Sequence, residues 1–388
     1  MKKLLMALSL LPLMAAAETE KVGNITWSYS IPGGEAMVEG ADPCSGSIVI
    51  PSTLGGCSVT EIGPFAFFEC DGLKSVTIPS SVTSIAETAF ACRMLSSIVV
   101  KDGNRAYKIV NGCLLTMDGT VLIRGPSKDV VVIPEGVRVI ASWAFFQCNL
   151  KSISIPASVE TIMCHDPRIF PESGRAFDTC PQLATIRVDP ANSFYKSENN
   201  CLLTKGGKVL LRGPSVVSAT IPEGVEVIAD EAFQDCEALV SVTIPSTVVK
   251  IGEWAFWWCK ALSSLTMPAS VQEVSSGFAE CTSLRFVRFL GAPPKFKLFE
   301  HDAEELALPI RYNPGYAEDW ARVVEHYGFT DAEPYDGGFE LVPGEKAEFD
   351  SGLIGYTASG LPSGLRYDKT TGMITGAATR RPRRRASS

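Results

Sequence analysis

A short internal repeat constrains the fold of this chain more than any other feature of the sequence. The repeats align on a proline that follows a short apolar segment, and Pro222, Pro245 and Pro268 are spaced 23 residues apart. A unit this short cannot bury its own apolar side, so a core forms only when several units stack. The repeat therefore predicts a solenoid. The clearest copies are SVTIPSSVTSIAETAFAC (75–92), SVTIPSTVVKIGEWAFWWC (241–259) and SLTMPASVQEVSSGFAEC (264–281).

Each unit begins with a segment in which apolar and polar residues alternate. In LKSVTIP, Val76 and Ile78 are expected to point inward while Ser75 and Thr77 point outward, and the proline ends the strand. The unit length is typical of leucine-rich repeats. We therefore predict a mainly β (α/β) solenoid, with short parallel strands on the concave face and short helical turns or irregular segments behind them. Four strand segments are expected to lie side by side in one sheet: 74–78, 151–155, 240–244 and 263–267.

Two units are longer than the others and are near-copies of each other. Residues 104–148 and 192–236 are identical at 26 of 45 aligned positions, and both contain a CLLT segment followed later by RGPS. A further insertion, Met163–Gly174, occurs only once.

Cysteines recur at a fixed place in the repeat. A small residue at this place in a leucine-rich repeat packs against the turn of the next coil, so we expect buried thiols, with bridging inside the column as the alternative. Cys113 and Cys201 are equivalent in the two long units, and we expect the same of them. Cys44 and Cys57 are the best candidates for a disulfide. The column consists of Cys70, Cys92, Cys148, Cys180, Cys236, Cys259 and Cys281.

The string IPSSVTSIAETAFACRMLSSIVV resembles the BspA-like bacterial surface leucine-rich-repeat proteins, and the resemblance covers about residues 44–290. It implies an exported repeat protein associated with adhesion and host contact. A second segment, ASGLPSGLRYDKTTGMITGAAT (358–379), is similar to the C-terminal half of bacterial putative-immunoglobulin-like modules.

The ends of the chain predict export and capping of the solenoid. Lys2 and Lys3, an apolar segment and the small residues before Glu18 are typical of a secretory signal cleaved after Ala17. No later stretch has the length of a transmembrane helix, so we expect a secreted or cell-surface protein. The expected segments are a signal peptide (1–17), a cap hairpin (18–46), the solenoid (47–291), a cap with a short helix (292–336), a small β fragment that is a partial immunoglobulin-like module (337–379) and a disordered basic tail (380–388).

Charge and motifs argue against several classes of function. A net charge of −8 disfavours a nucleic-acid partner. The sequence has no phosphate-binding loop, dinucleotide fingerprint or metal-ligand spacing, so no cofactor or metal is expected. Cys164-His165-Asp166 lies in the single insertion, and adjacent side chains rarely give a nucleophile–base geometry, so we predict no enzyme activity.

Two surfaces are candidates for partner binding. The first is the outward face of the strands, because small hydroxyls dominate it and a few arginine and aromatic residues interrupt them. Its alternative interpretation is a solvated β face. The second is the tryptophan group, with Phe68 and Phe146 at the position of Trp257, for which aromatic packing between coils is the more common explanation. The outward candidates are Arg187, Phe286, Arg288, Thr185, Ser241, Thr243, Ser264 and Thr266, and the runner-up patch is Trp254, Trp257 and Trp258.

These features together predict an exported, non-enzymatic interaction protein that binds an extracellular protein or glycan, in the manner of an adhesin. The alternatives are a structural spacer in a surface assembly and a targeting subunit of a secreted hydrolase.

Overall fold

A computed structural model describes most of the repeat array. The predicted signal peptide up to Ala16, the Met163–Gly174 insertion with Cys164-His165-Asp166, and the basic tail lie outside the described residues. The described residues are 17–162, 175–177, 179–297, 309–327, 329, 331–334, 346–350, 365–367 and 373–377.

The described chain is mainly β and forms a parallel-strand solenoid, in which most coils contribute two short strands. The strand before the proline belongs to what we call the first ladder. Its inward residues are buried and stack in register, as Val76 does on Ile98 and Ile153 on Ile186. The strands of the first ladder are Ser45–Val49, Gly72–Ile78, Ser97–Val100, Val130–Val132, Ser152–Ile155, Thr185–Val188, Ser218–Thr220, Ser241–Thr243, Leu265–Met267, Val287–Phe289, Ile310–Tyr312 and Ala332–Pro334.

A second ladder follows each proline turn. Its strands are only two or three residues long in most coils, and most of them place a branched apolar residue such as Ile140 or Ile228 in the core. Its strands are Cys57–Ile62, Ser84–Ile85, Val121–Arg124, Val139–Ile140, Thr161–Ile162, Val209–Arg212, Val227–Ile228, Lys250–Ile251, Glu273–Ser275 and Lys295–Lys297.

The prediction that the four strand segments form one sheet is wrong. They belong to four separate sheets, because the two long units interrupt the first ladder and a further break falls before Leu265–Met267. The coils nevertheless remain stacked across every break. Single backbone bonds join them, from Ser127 N to Leu95 O at 3.0 Å, from Ser215 N to Leu183 O at 2.7 Å and from Ser263 N to Val240 O at 3.2 Å.

The long units insert an antiparallel hairpin between the two ladders. The last strand of each three-stranded meander joins the second ladder through a parallel pairing, as Leu122 does opposite Ile140. A buried asparagine precedes each hairpin, and its side-chain amide satisfies four backbone groups. Asn104, for example, donates to Pro79 O and Val82 O and accepts from Ala106 N and Tyr107 N. The inserted strands are Tyr107–Val110 and Cys113–Thr116, and Tyr195–Glu198 and Cys201–Thr204.

Each long unit also places a fully buried arginine against the turn of the next coil. Arg124 donates to the carbonyl oxygens of Trp143, Phe146 and Cys92 at 2.9–3.1 Å, and Arg212 does the same with Glu231, Gln234 and Cys180 at 3.0–3.5 Å. These turns contain residues with left-handed backbone, which direct carbonyl groups into the core. The arginine supplies the donors that these carbonyls require when buried.

Phenylalanine rings provide the packing between successive turns. Phe67 stacks on Phe90 with ring centroids 5.4 Å apart, and Phe233 stacks on Phe256 at 5.2 Å. Gly213 directly precedes a proline beside this stack. A Cβ atom at Gly213 would lie 2.1 Å from the Phe233 ring, so only glycine allows the chain to approach the ring.

The cysteine column is buried except at its first member. Cys180, Cys259 and Cys281 lie 3.0–3.1 Å from phenylalanine carbonyl oxygens of earlier turns and donate their thiol hydrogens to them. Burial raises the pKa of the Cys92 thiol to about 11. Cys113 and Cys201 are also buried, and burial raises the pKa of each to about 12.

The predicted Cys44–Cys57 disulfide is wrong. Cys44 is bonded to Cys70, with Cα atoms 5.5 Å apart, so Cys70 is not a free thiol of the column. The parallel pairing of Ser45 with Gly72 sets Cys44 beside Cys70. Cys57 begins the strand Cys57–Ile62 of the other ladder and is a half-buried free thiol.

Both ends of the array are covered by additional structure. At the start, Ile25–Ser30 and Ala36–Asp42 form the expected hairpin around a short 3₁₀ turn, with Glu18–Val22 added at its edge. At the other end the ladders continue beyond residue 291, where the repeat pattern fades. The helix Ala317–Tyr327 follows and buries Trp320 against Phe289 at 4.9 Å.

A separate antiparallel sheet is described near the C-terminus, within the range expected for the immunoglobulin-like fragment. Its strands are Lys346–Asp350, Met373–Ala377 and Leu365–Tyr367. Among the described residues, no helix has the length and apolar character needed to cross a membrane.

The buried arginine predicts a large loss of stability on truncation. We expect Arg124→Ala to lower the free energy of unfolding by about 3–5 kcal/mol, because it opens a cavity and removes the side-chain donor of the Phe146 and Cys92 carbonyls. Arg138→Ala is the control, since Arg138 is exposed and its loss should change stability by less than about 0.5 kcal/mol. Denaturant titration measures both values, and equal midpoints for the two variants would contradict the assigned role of Arg124.

The thiol arrangement predicts a labelling pattern. In a Cys164→Ser background, which leaves only described cysteines, native protein at pH 8 should label rapidly at Cys57 alone, whereas denatured protein labels at all nine free thiols. Mass spectrometry of the alkylated protein gives the number and the positions of the labelled thiols. Rapid labelling of Cys92 or Cys148 in native protein, or a bond between neighbouring column cysteines, would show that the column is not a stack of protected thiols.

Candidate binding site

A groove with a volume of about 590 Å³ crosses the first ladder between the two inserted hairpins. Its floor is the sheet in which Val132, Ser154 and Arg187 lie side by side in register. Asn111, at the tip of the first hairpin, and Ser197, in the second, line the groove from either side. The long units therefore supply two borders of this groove.

The groove combines apolar and charged groups. Pro134, Pro156 and Pro190, which end the three floor strands or follow them closely, line the groove together with the carboxylates Glu135 and Asp189. Prolines add rigid apolar surface and cannot donate backbone hydrogen bonds.

The two hairpins differ at the groove although their sequences are near-copies. In the second hairpin, Ser197 Oγ accepts from Val188 N at 3.0 Å and Asn199 Nδ2 donates to Thr220 O at 3.2 Å, so this hairpin is tied to the ladder. In the first hairpin, Asn111 is exposed, and its side-chain amide makes no hydrogen bond to the described residues. The Asn111 amide is therefore available to a ligand.

The predicted strand-face residues do not form one site. Arg187 is exposed on the groove floor and Thr185 is half-buried beside it. Arg288 lies in another sheet, at least four strand spacings, or roughly 19 Å, along the stack. Thr243 and Thr266 are half-buried in two sheets outside the groove.

Three of the predicted contact residues are buried, so their assignment to an exposed face is wrong. Ser241 is buried because its hydroxyl bonds to Ser218 Oγ at 3.0 Å on the neighbouring strand, and Ser264 is equally buried. Phe286 is only 7% exposed, since the guanidinium groups of Arg285 and Arg288 cover its ring at 5.8 and 5.2 Å.

The tryptophans lie on the turns that precede the column cysteines. Trp254, Trp257 and Trp258 are half-buried, and the described ring contacts of Trp257 are with the other two, at 6.0 and 5.4 Å. Packing between coils is instead provided by the phenylalanine two residues after Trp254, because Phe256 stacks on Phe233. The preferred interpretation of Trp257 as packing between coils is therefore not supported.

The sequence did not identify the hairpin contribution to the groove. Asn111 and Ser197 are in different long units, and their sequence separation gives no sign that they border one floor. The only available signal was the duplication itself, which places two equivalent hairpins on the same face. Within the described residues, no three His, Cys, Asp or Glu side chains are grouped as metal ligands.

Comparison with solved structures finds other bacterial repeat proteins. The chain is similar to a leucine-rich repeat protein from Eubacterium ventriosum, at 23% identity over 73% of this chain and 74% of that one, with a TM-score of 0.44. It is similar to a leucine rich cell surface protein from Faecalibacterium prausnitzii, at 21% identity over 70% of this chain and 94% of that one, with a TM-score of 0.34. The chain is also similar to the pneumococcal vaccine antigen PcpA, at 15% identity over 83% of this chain and 100% of that one, with a TM-score of 0.38.

No curated protein sequence matches the chain significantly. The sequence model of the family described as BspA type leucine rich repeat region, in contrast, matches six copies over residues 45–117, 127–203 and 208–297, which is more than half of the chain. The chain therefore belongs to the BspA type leucine rich repeat family.

Proposed function

We propose that this chain is an exported, non-enzymatic interaction protein that binds an extracellular protein or glycan in the groove around Arg187. The observation that carries the proposal is the groove itself, which the two hairpins border on the first ladder. The signal-like N-terminus and membership of a repeat family whose bacterial members include surface proteins support export.

The contents of the groove favour binding of an extended ligand. Its floor is three strands wide, and Val132 is 55% exposed there although its side chain is apolar. Arg187 adds a cation with a planar set of donors, which suits carboxylate, sulfate or carbonyl groups of a partner. Ser154 and Asn111 add uncharged hydrogen-bonding groups around them.

Specific binding in such a site depends on a few anchors, and arginine is among the residues most enriched at these positions. Arg187 is the basic residue among those lining the groove. Loss of its side chain should therefore reduce affinity more than loss of any arginine on the exposed ladder outside the groove.

We predict that Arg187→Ala weakens partner binding by more than about 1 kcal/mol while the thermal midpoint stays unchanged. The chain from Glu18 onward is first screened on arrays of glycans and extracellular-matrix proteins, and the affinity for each hit is then measured by calorimetry. The thermal midpoint should stay unchanged because Arg187 is exposed and contributes nothing to the core.

Arg138→Ala is the matched control, since Arg138 is an exposed arginine held by Glu160 at 2.7 Å and lies outside the lining of the groove. Equal affinities for Arg187→Ala and the parent chain would rule out the groove as the binding site. A screen without any hit would count against the interaction function as a whole.

A further inference from the structure

Aromatic residues recur at two positions of the turns that precede the column cysteines. In three turns both positions are aromatic, one directly before the Ala-Phe pair and one directly after it. We call this set the turn surface, and it lies on a different segment of the coil from the groove. It consists of Phe65 and Phe68, Trp143 and Phe146, and Trp254 and Trp257.

The core does not require these aromatic rings. The buried phenylalanine between the two positions, such as Phe145, already fills the space between coils, where it stacks on Phe177 at 5.5 Å. In the near-copy unit the residues equivalent to Trp143 and Phe146 are Glu231 and Gln234, and the turn keeps its backbone form. The aromatic character of these positions therefore needs another explanation.

The first aromatic position has the same backbone conformation in all three turns. Phe65, Trp143 and Trp254 have φ values of 57°, 63° and 53°, in the left-handed region. A bulky residue there costs roughly 1 kcal/mol, whereas glycine or asparagine would be tolerated more easily. Glu231, at the same position of the near-copy turn, has a φ of 60°, so the left-handed backbone belongs to the turn whatever residue stands there.

The first two turns join into one aromatic patch. Phe65 contacts Phe68 at 5.6 Å and Trp143 at 6.0 Å, and Trp143 stacks on Phe146 at 4.2 Å. All four residues are half-buried, and Trp143 Nε1 is enclosed by the protein. The patch is thus a partly exposed platform of contacting rings.

We propose that the turn surface binds a neutral polysaccharide. A sugar ring presents a C–H face, which packs on aromatic rings, and a rim of hydroxyls, which pair with polar side chains such as Glu69 and Gln147 directly after the aromatic positions. The net charge of −8 disfavours an anionic polymer. Repetition of the platform at Trp254 and Trp257 along the array suits a ligand that is itself repetitive.

Affinity electrophoresis of the chain from Glu18 onward tests this proposal. Native gels contain soluble starch, mixed-linkage β-glucan or galactomannan as neutral probes, and polygalacturonate as the acidic comparison. We expect at least one neutral polymer to retard the protein, and Trp143→Ala and Phe146→Ala each to weaken this retardation about tenfold. Phe194→Ala is the matched control, because Phe194 is an aromatic residue that is 49% exposed outside the turn surface.

Further variants separate binding from folding. Thermal midpoints are measured for all of them, and Trp257→Ala tests a second turn if Trp143→Ala lowers the midpoint. Arg187→Ala should leave retardation unchanged, so failure of the groove proposal and failure of this one are distinguishable. The proposal is overturned if no neutral polymer retards the protein, if only polygalacturonate does, or if the folded aromatic variants are retarded as strongly as the parent chain.

Discussion

Stacking of each coil on the next is the interaction on which the rest of this structure depends. A single coil leaves two rows of backbone N–H and C=O groups and one side of its phenylalanine without partners, and only the neighbouring coil provides them. The Phe67–Phe90 and Phe233–Phe256 stacks show this contact on the apolar side, and the parallel ladders show it on the polar side. Any feature that interrupts the stack must therefore supply replacement partners.

The two long units show how such replacement is achieved. Each inserts a hairpin that breaks the first ladder, and each also carries a buried arginine that meets the carbonyl groups of the next turn, as Arg124 does with Trp143 and Phe146. Asn104 and Asn192 attach the hairpins to the preceding proline turns through fully used amides. The array keeps its core across the interruption, and the hairpins become free to border a groove.

Both proposed binding surfaces lie outside the regular rows of hydroxyl side chains. The regular hydroxyl positions of the ladder are partly buried by their neighbours, as the Ser241–Ser218 hydrogen bond shows, and so carry little information for a partner. Arg187 interrupts the hydroxyl positions on the groove side, and Asn111 stands in a hairpin that the regular units lack. The proposed turn surface, which includes Trp143, lies on a different segment of the coil.

The sequence by itself determined the unit length, the inward positions of the strands, the buried cysteine column from Cys92 onward and the family, because each depends on spacing within one coil. It identified Arg187 as a surface residue for the same reason. Only the tertiary structure decided that Cys44 pairs with Cys70, that Phe286 is covered by two arginines, that the first ladder breaks into separate sheets and that two hairpins enclose one groove. These features depend on which residues of different coils become neighbours, and the stacking geometry sets that choice.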